Sequence, residues 1–212
     1  MTPTESSAVA KPVRRRGRPA DADIDERVLA AGVELFAEVG WKAFNLDGVA
    51  RRAKVGKAAL YRRWPTREAL ITDALERIVL PDMEFDTGSV REDLLTLARY
   101  IWRVSLSPTG SMLMRVAVEA RREPGIFGPR LAGIIREQTE VGRAIVHRAV
   151  KRGEVPAGVP SRLVFHALSG AIQNRVLFTP PDKVAALEKQ REQVLGQIVD
   201  FVIGGMAVTT PS

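Results

Sequence analysis

Cysteine is absent from the 212 residues. That excludes disulfides, thiol chemistry and any zinc finger built on thiolates, and it is compatible with a reducing compartment. Histidine occurs only twice, at His147 and His166, and no acidic cluster has metal-ligand spacing, so neither a metal nor a cofactor is expected. No Ser-His-Asp grouping with local support and no glycine-rich phosphate loop is present, which leaves an enzyme reading without residues to carry it. No apolar run approaches the length of a membrane span, and residues 1–30 hold no core of a signal peptide. The expectation is a cytoplasmic protein with no membrane partner. Strand-like alternation and internal repeats are missing as well, so the chain reads as all-α.

What is present is a concentration of positive charge. Apolar content of 45% and charged content of 27% are ordinary for a globular chain able to bury a core. The formal charge is +7 overall. Between Lys42 and Trp64 there are seven basic residues and one acid, Asp47, for +6; residues 11–18 (KPVRRRGR) carry five basic residues and no acid, for +5. The remainder must then sum to 7 − 11 = −4. A basic first third on a mildly acidic body fits a nucleic-acid-binding head on a body that does not bind nucleic acid.

Residues 1–20 are rich in Pro, Ser, Thr and Arg and read as a disordered basic arm. Arg14, Arg15, Arg16 and Arg18 are candidates for phosphate contact or minor-groove insertion, against the alternative of a solvated tail. A first helix should start near Asp23, with Ile24, Val28, Ala31, Leu35, Phe36 and Val39 along one stripe, and end at Gly40. Asn45 suits the N-cap of a short helix Leu46 to Ala53, whose buried face is Leu46, Val49, Ala50 and Ala53. Lys54 to Lys57 form a four-residue turn, with Val55 plugging the core. A third helix, Ala58 to Trp64, packs Leu60 inward and leaves Lys57, Ala58, Ala59, Tyr61, Arg62 and Arg63 outward. Pro65 stops it and Thr66 caps the next.

Two short helices joined by a tight turn, with small residues and basic charge on one face, match a helix-turn-helix whose second helix enters the major groove. On spacing alone, a plain helical hairpin with a solvated basic face stays equally open.

Residues 18–75 resemble the N-terminal domain of the tetracycline-repressor (TetR) family of transcriptional regulators. The matching residues are Ala30-Ala31, Leu35-Phe36, Gly40, Val49-Ala50, Ala53, Val55, Lys57-Ala58-Ala59-Leu60-Tyr61, Trp64 and Arg67-Glu68-Ala69-Leu70. The departures are Lys54 for a turn glycine, Gly56 for a capping serine, Asp47 where some members place a base-reading arginine, and Arg63 at a common histidine position. The resemblance implies that Lys57 and Ala58 face bases, that Tyr61 contacts a phosphate or a thymine methyl, and that Arg67 holds the DNA backbone. The candidate DNA-binding set is then Asn45, Lys57, Ala58, Ala59, Tyr61, Arg62, Arg63 and Arg67, with the four arm arginines.

The resemblance also implies a homodimer on a palindromic operator in double-stranded DNA, most often a repressor released by a small-molecule effector. An activator, or a sequence-tolerant DNA binder using the same head, is the alternative. The expected division is the arm (1–20), a helix-turn-helix domain (21–67) and a helical effector and dimerisation domain (68–206). The stretch RGEVPAGVPSRLVFHALSGAIQNRVL is similar to a C-terminal regulatory domain common among such regulators.

In the body the patterning places helices at about Arg67 to Leu80, Val90 to Leu106, Ser111 to Arg122, Arg130 to Arg152, Ser161 to Phe178 and Asp182 to Ile203, with Pro124–Pro129 as a break. The candidate effector-binding residues are Trp102, Met114, Phe127, Phe165, His166 and Gln173, each against the reading of an ordinary core or surface residue. The candidate dimer surface is Leu168, Ala171, Ile172, Arg175, Val194, Ile198 and Phe201, against the reading of intrachain core.

Overall fold

The computed structural model describes residues 19–77 and 85–207, with side chains for 23–77 and 85–206. Arg14, Arg15, Arg16 and Arg18, and the expected last turn of the fourth helix at 78–80, lie outside the described residues. Among the described residues every regular element is a helix.

The first helix, α1 (Pro19–Ala43), starts earlier than Asp23, since a proline costs nothing where the N–H has no helical partner. Gly40 breaks it at φ 70°, ψ 178°, a conformation that disfavours any Cβ, and the chain makes one further turn to Ala43. α2 (Leu46–Ala53) is capped by Asn45, whose Oδ1 accepts from the Gly48 N–H at 2.8 Å. Lys54 follows in the left-handed region at φ 55°. α3 (Lys57–Arg63) begins at Gly56 with no side-chain cap. In α4 (Arg67–Glu76) the Thr66 hydroxyl caps the Ala69 N–H at 3.1 Å.

The body holds α5 (Val90–Ser105), α6 (Pro108–Glu119), α7 (Pro124–Lys151), α8 (Ser161–Leu177), a 3-10 turn (Pro181–Lys183), α9 (Val184–Lys189) and α10 (Arg191–Ala207). Three expectations change here. The sixth helix starts at Pro108, because Ser107 caps the Gly110 N–H at 3.3 Å. Residues 124–129 are no break but the opening turns of α7: Pro124 sits at the first position, and Pro129 lies close enough to the start to forfeit only one early carbonyl partner. The last expected helix is interrupted at Gln190, giving α9 and α10.

Among the described residues, two apolar cores hold the chain together. One joins α1 to α4 through Val28, Phe36, Val49, Leu60, Leu70 and Ile71, and takes in Met112 and Val116 of α6 and Phe127 of α7. Phe127 is the keystone: its ring lies 5.6 Å from Phe36 and meets Trp41 edge-on at 5.3 Å. The expected division at 67 puts α4 with the body, yet Leu70, Ile71, Ala74 and Leu75 are buried in the same core as α1–α3. The other core gathers Leu94, Ala98, Trp102, Ile145, Leu168, Ile172, Leu195 and Val199 from α5, α7, α8 and α10. Gly142 lets α7 and α8 close on each other; a Cβ there would stand 2.9 Å from that of Phe165.

Candidate nucleic-acid interface and ligand cavity

The four-residue turn sets α3 across α2 so that Leu60 is buried and Lys57, Ala58, Tyr61 and Arg62 stand exposed, with Ala59 half-buried. The most informative contact on this face comes from Asp47, in the first turn of α2. Its Oδ2 accepts from Lys57 Nζ at 2.7 Å, and its Oδ1 accepts from Tyr61 Oη at 3.3 Å. The hydrogen bond from Lys57 holds the Asp47 carboxyl below the usual carboxylate range. Asp47, one of the positions that depart from the TetR-like pattern, is therefore bonded to two residues of the candidate reading face.

The other candidates divide by role. Asn45 spends its side chain on capping α2 and on the Ala43 carbonyl at 2.9 Å. Arg62 is exposed. Arg63 is paired through Nε to Asp25 of α1 at 2.7 Å, and is largely withdrawn from solvent. Arg67 stacks over Trp41 at 4.0 Å and donates through Nη1 to the carbonyls of Trp41 and Phe44, at 3.0 and 3.3 Å. It braces the link between α1 and α2 from the first residue of α4.

A cavity of about 360 Å³ lies in the body, lined by α5, α6, α7 and α8 and touching α1 at Ala37. That volume suits a small-molecule site. Of the expected effector residues, Met114, Phe165 and Gln173 line it. Trp102 does not: it is sealed in the core, and its indole N–H donates to Glu188 Oε2 at 2.7 Å. Phe127 belongs to the head-side core, and His166 is exposed on the outer side of α8.

Sequence patterning missed the polar lining: Tyr100, Arg115, Arg130, Glu137, Gln138 and Ser169. Arg130 and Glu137, seven apart on one face of α7, are joined Nη1 to Oε1 at 2.8 Å. That spacing on an otherwise apolar face was the available signal. Burial pushes the Tyr100 hydroxyl pKa up.

Two of these lining residues reach the head. Arg115 Nε donates to the Ala37 carbonyl at 2.7 Å and Nη2 to that of Glu38 at 3.1 Å, just before the Gly40 break. Arg130 Nε donates to the Leu75 carbonyl at 2.9 Å, at the C-terminal end of α4. Both contacts fall in the C-terminal part of a head helix, where the dipole favours a cation.

The expected dimer residues divide too. Leu168 and Ile172 are buried in the intrachain core, and Val194 and Ile198 are half-buried against it. They point inward because the inner faces of α8 and α10 are needed to close the body. Ala171, Arg175 and Phe201 face outward, Phe201 with 82% of its surface exposed. Leu163 and Phe178, at 64% and 74%, extend that outer apolar surface and were not in the expected set.

No helix among the described residues is long and apolar enough to cross a membrane, and no group of acids and histidines among them could hold a metal. Residues 28–74 match the family described as bacterial regulatory proteins, tetR family, and residues 85–190 match the tetracyclin repressor-like C-terminal domain. The HTH-type transcriptional regulator AqdR of Rhodococcus erythropolis is 32% identical over 83% of this chain and 85% of its own. Among solved structures, GusR of Salmonella enterica superposes with a TM-score of 0.64 at 18% identity, over 91% of this chain and 99% of its own. A TetR-family regulator from Cytophaga hutchinsonii gives 0.68 at 14%, over 92% and 100%; both likenesses speak for the fold alone. With a matching head, a matching body and a relative along most of its length, the chain belongs to the TetR family of DNA-binding transcriptional regulators.

Proposed function

We propose that the protein works as a homodimeric repressor whose two α3 helices enter successive major grooves of a palindromic operator, and which lets go when a small molecule fills the cavity of the body. The observation that carries this reading is the coexistence, in one chain, of an exposed basic α3 face and a mostly apolar cavity in the body. Lys57, Ala58 and Tyr61 read bases or methyls, and Arg62 holds a phosphate. Arg63 and Arg67 set the angle of the head through their partners within it. The head, α1–α4, supplies the reading surface, and α5–α10 supply the effector site and the dimer contact.

The dimer forms through the outer faces of α8 and α10, which pack side by side and expose Leu163, Phe178 and Phe201. Exposed apolar side chains gathered on adjacent helices fit a two-fold interface. As a chromosome-binding regulator it acts in the cytoplasm.

The test is to select bound fragments from genomic DNA and then screen compounds related to the neighbouring genes for release. The reading expects a two-fold symmetric site and at least one compound that lowers affinity for it. Binding that is indifferent to sequence and to every compound would contradict it.

A further inference from the structure

Asp47 is the one acid among seven basic residues between Lys42 and Trp64, and an acid on a face that meets phosphates calls for a reason. The side chains of Asp47 and Lys57 are 42% and 63% exposed, so the pair lies open rather than sealed between α2 and α3. Oδ2 accepts one of the three ammonium protons of Lys57 at 2.7 Å, and Oδ1 accepts from Tyr61 Oη at 3.3 Å. Each oxygen keeps a second lone pair, and the ammonium keeps protons to give. The pair therefore offers a donor beside an acceptor, 2.7 Å apart. In the major groove a base pair offers the converse: a keto oxygen beside an amino N–H, about 2.9 Å apart because the two are bonded to each other.

We propose that Asp47 and Lys57 read one base pair together: the ammonium donates to the keto oxygen of one base, and the carboxylate accepts the groove-side amino proton of that base's partner. This rests on the reading of α3 as the helix in the major groove. The doublet has a direction. It accepts G·C and T·A, with the keto base under Lys57. It rejects C·G and A·T, where the carboxylate meets a keto oxygen and the ammonium meets an amino group. Of the two accepted pairs, G·C is favoured, because guanine N7 takes a further ammonium proton where thymine carries a methyl group. Tyr61 holds the other carboxylate oxygen, so the plane of the acceptor is fixed before DNA arrives. Asp47 is thereby a specificity-determining residue contributed by α2, beside those of α3.

The full chain and its Asp47→Ala variant are each put through selection from a randomised duplex library at physiological salt. The base pair whose preference differs between them is then varied within the selected site, and affinity is read by fluorescence anisotropy. The natural protein is expected to rank G·C first and the T·A pair that keeps the keto group on the same strand second. The two pairs with keto and amino groups exchanged are expected to bind more weakly than the first by about tenfold or more. Asp47→Ala is expected to narrow that gap to about threefold, since a lone lysine swings to either strand. It is also expected to bind random DNA more tightly, a gain that damage to the fold would not produce. The same site is then made with N4-methylcytosine, which keeps the pairing proton and puts a methyl group where the carboxylate would accept. The natural protein is expected to lose about tenfold on it, and Asp47→Ala to be indifferent.

Equal affinity of the natural protein for the methylated site would reduce Asp47 to a restraint on Lys57 and overturn the assignment. Base preferences that Asp47→Ala leaves untouched, or a ranking that follows purine and pyrimidine instead of keto and amino groups, would overturn it too. All three outcomes leave the regulator reading standing. A natural protein that selects no sequence from the library removes both.

Discussion

Asp47 holds Lys57 across the helix-turn-helix, carboxylate to ammonium at 2.7 Å, and Tyr61 completes the group from the next turn of α3. An exposed pair of this kind adds little stability. Its effect lies on the face that meets DNA: it fixes the direction of Lys57 and withholds a free cation from phosphates. Asp47→Asn is expected to raise affinity for random-sequence DNA by about a few-fold, through added counterion release, while the ratio of specific to random affinity falls. Fluorescence anisotropy at two salt concentrations measures both, and weaker random binding in the variant would refute the role.

Arg67 is committed inside the head rather than held free. Stacked on Trp41 and bonded to two carbonyls of the α1–α2 link, it should act first on stability. Arg67→Ala is expected to cost about 2 kcal/mol, from charged hydrogen bonds and a cation–π contact. Thermal denaturation in the absence of DNA checks this. An unchanged Tm together with weakened DNA binding would move Arg67 back to the DNA backbone.

The loop that leads into α5 is tied down by carboxylates. Asp93, fully buried, accepts from the Thr87 N–H at 2.7 Å, from the Thr87 hydroxyl at 2.8 Å and from Arg152 Nη2 at 3.1 Å. Glu154 accepts from the Val90 N–H and from Arg152. The Val90 N–H, and then Arg152, hold the Glu154 carboxyl below its ordinary value of 4.5. A lowered carboxyl stabilises the fold above the unfolded value and loses that contribution as pH falls through the folded one. The Tm gap between the natural protein and Glu154→Gln is therefore expected to be widest near neutral pH and to close below 4.5. A gap that stays constant across that range would contradict the assignment.

Phe201 projects from α10 with most of its ring in solvent, so its replacement should leave the protomer folded. Phe201→Glu is expected to convert dimers to monomers in analytical ultracentrifugation with helical content unchanged. A dimer that persists would place the interface elsewhere.

The head was legible because its signals are local. Asn45, Thr66 and the apolar stripe of α2 act within one or two turns, and α2 stands where they place it, at Leu46–Ala53. Lys54 shows the limit: it takes the left-handed conformation that the family's glycine would supply, at φ 55°. The body was less legible because its signals are tertiary. Pro124 and Pro129 read as a break, yet Pro124 falls at the first position, where a helix tolerates proline, and α7 runs on through Pro129 inside its second turn. Leu168 and Ile172 carry the same sequence stripe whether they meet their own core or a partner, and only packing decides. Cavity walls come from four helices, so no single stretch announces Arg115 or Arg130, and charged residues there read as surface. Arg63 and Arg67 read as DNA-facing from the sequence for the same reason: their partners, Asp25 and the carbonyls of Trp41 and Phe44, are brought in by folding.

Whether α3 reads DNA sequence is decided by equilibrium affinity for a selected genomic fragment against random DNA at physiological salt. The protein is expected to prefer the fragment by roughly a thousandfold or more. Lys57→Ala is expected to reduce affinity for the fragment by about tenfold or more, and Tyr61→Phe by about fivefold, with Tm unchanged in both. Unchanged affinity for the fragment in both variants would show that α3 does not read the sequence.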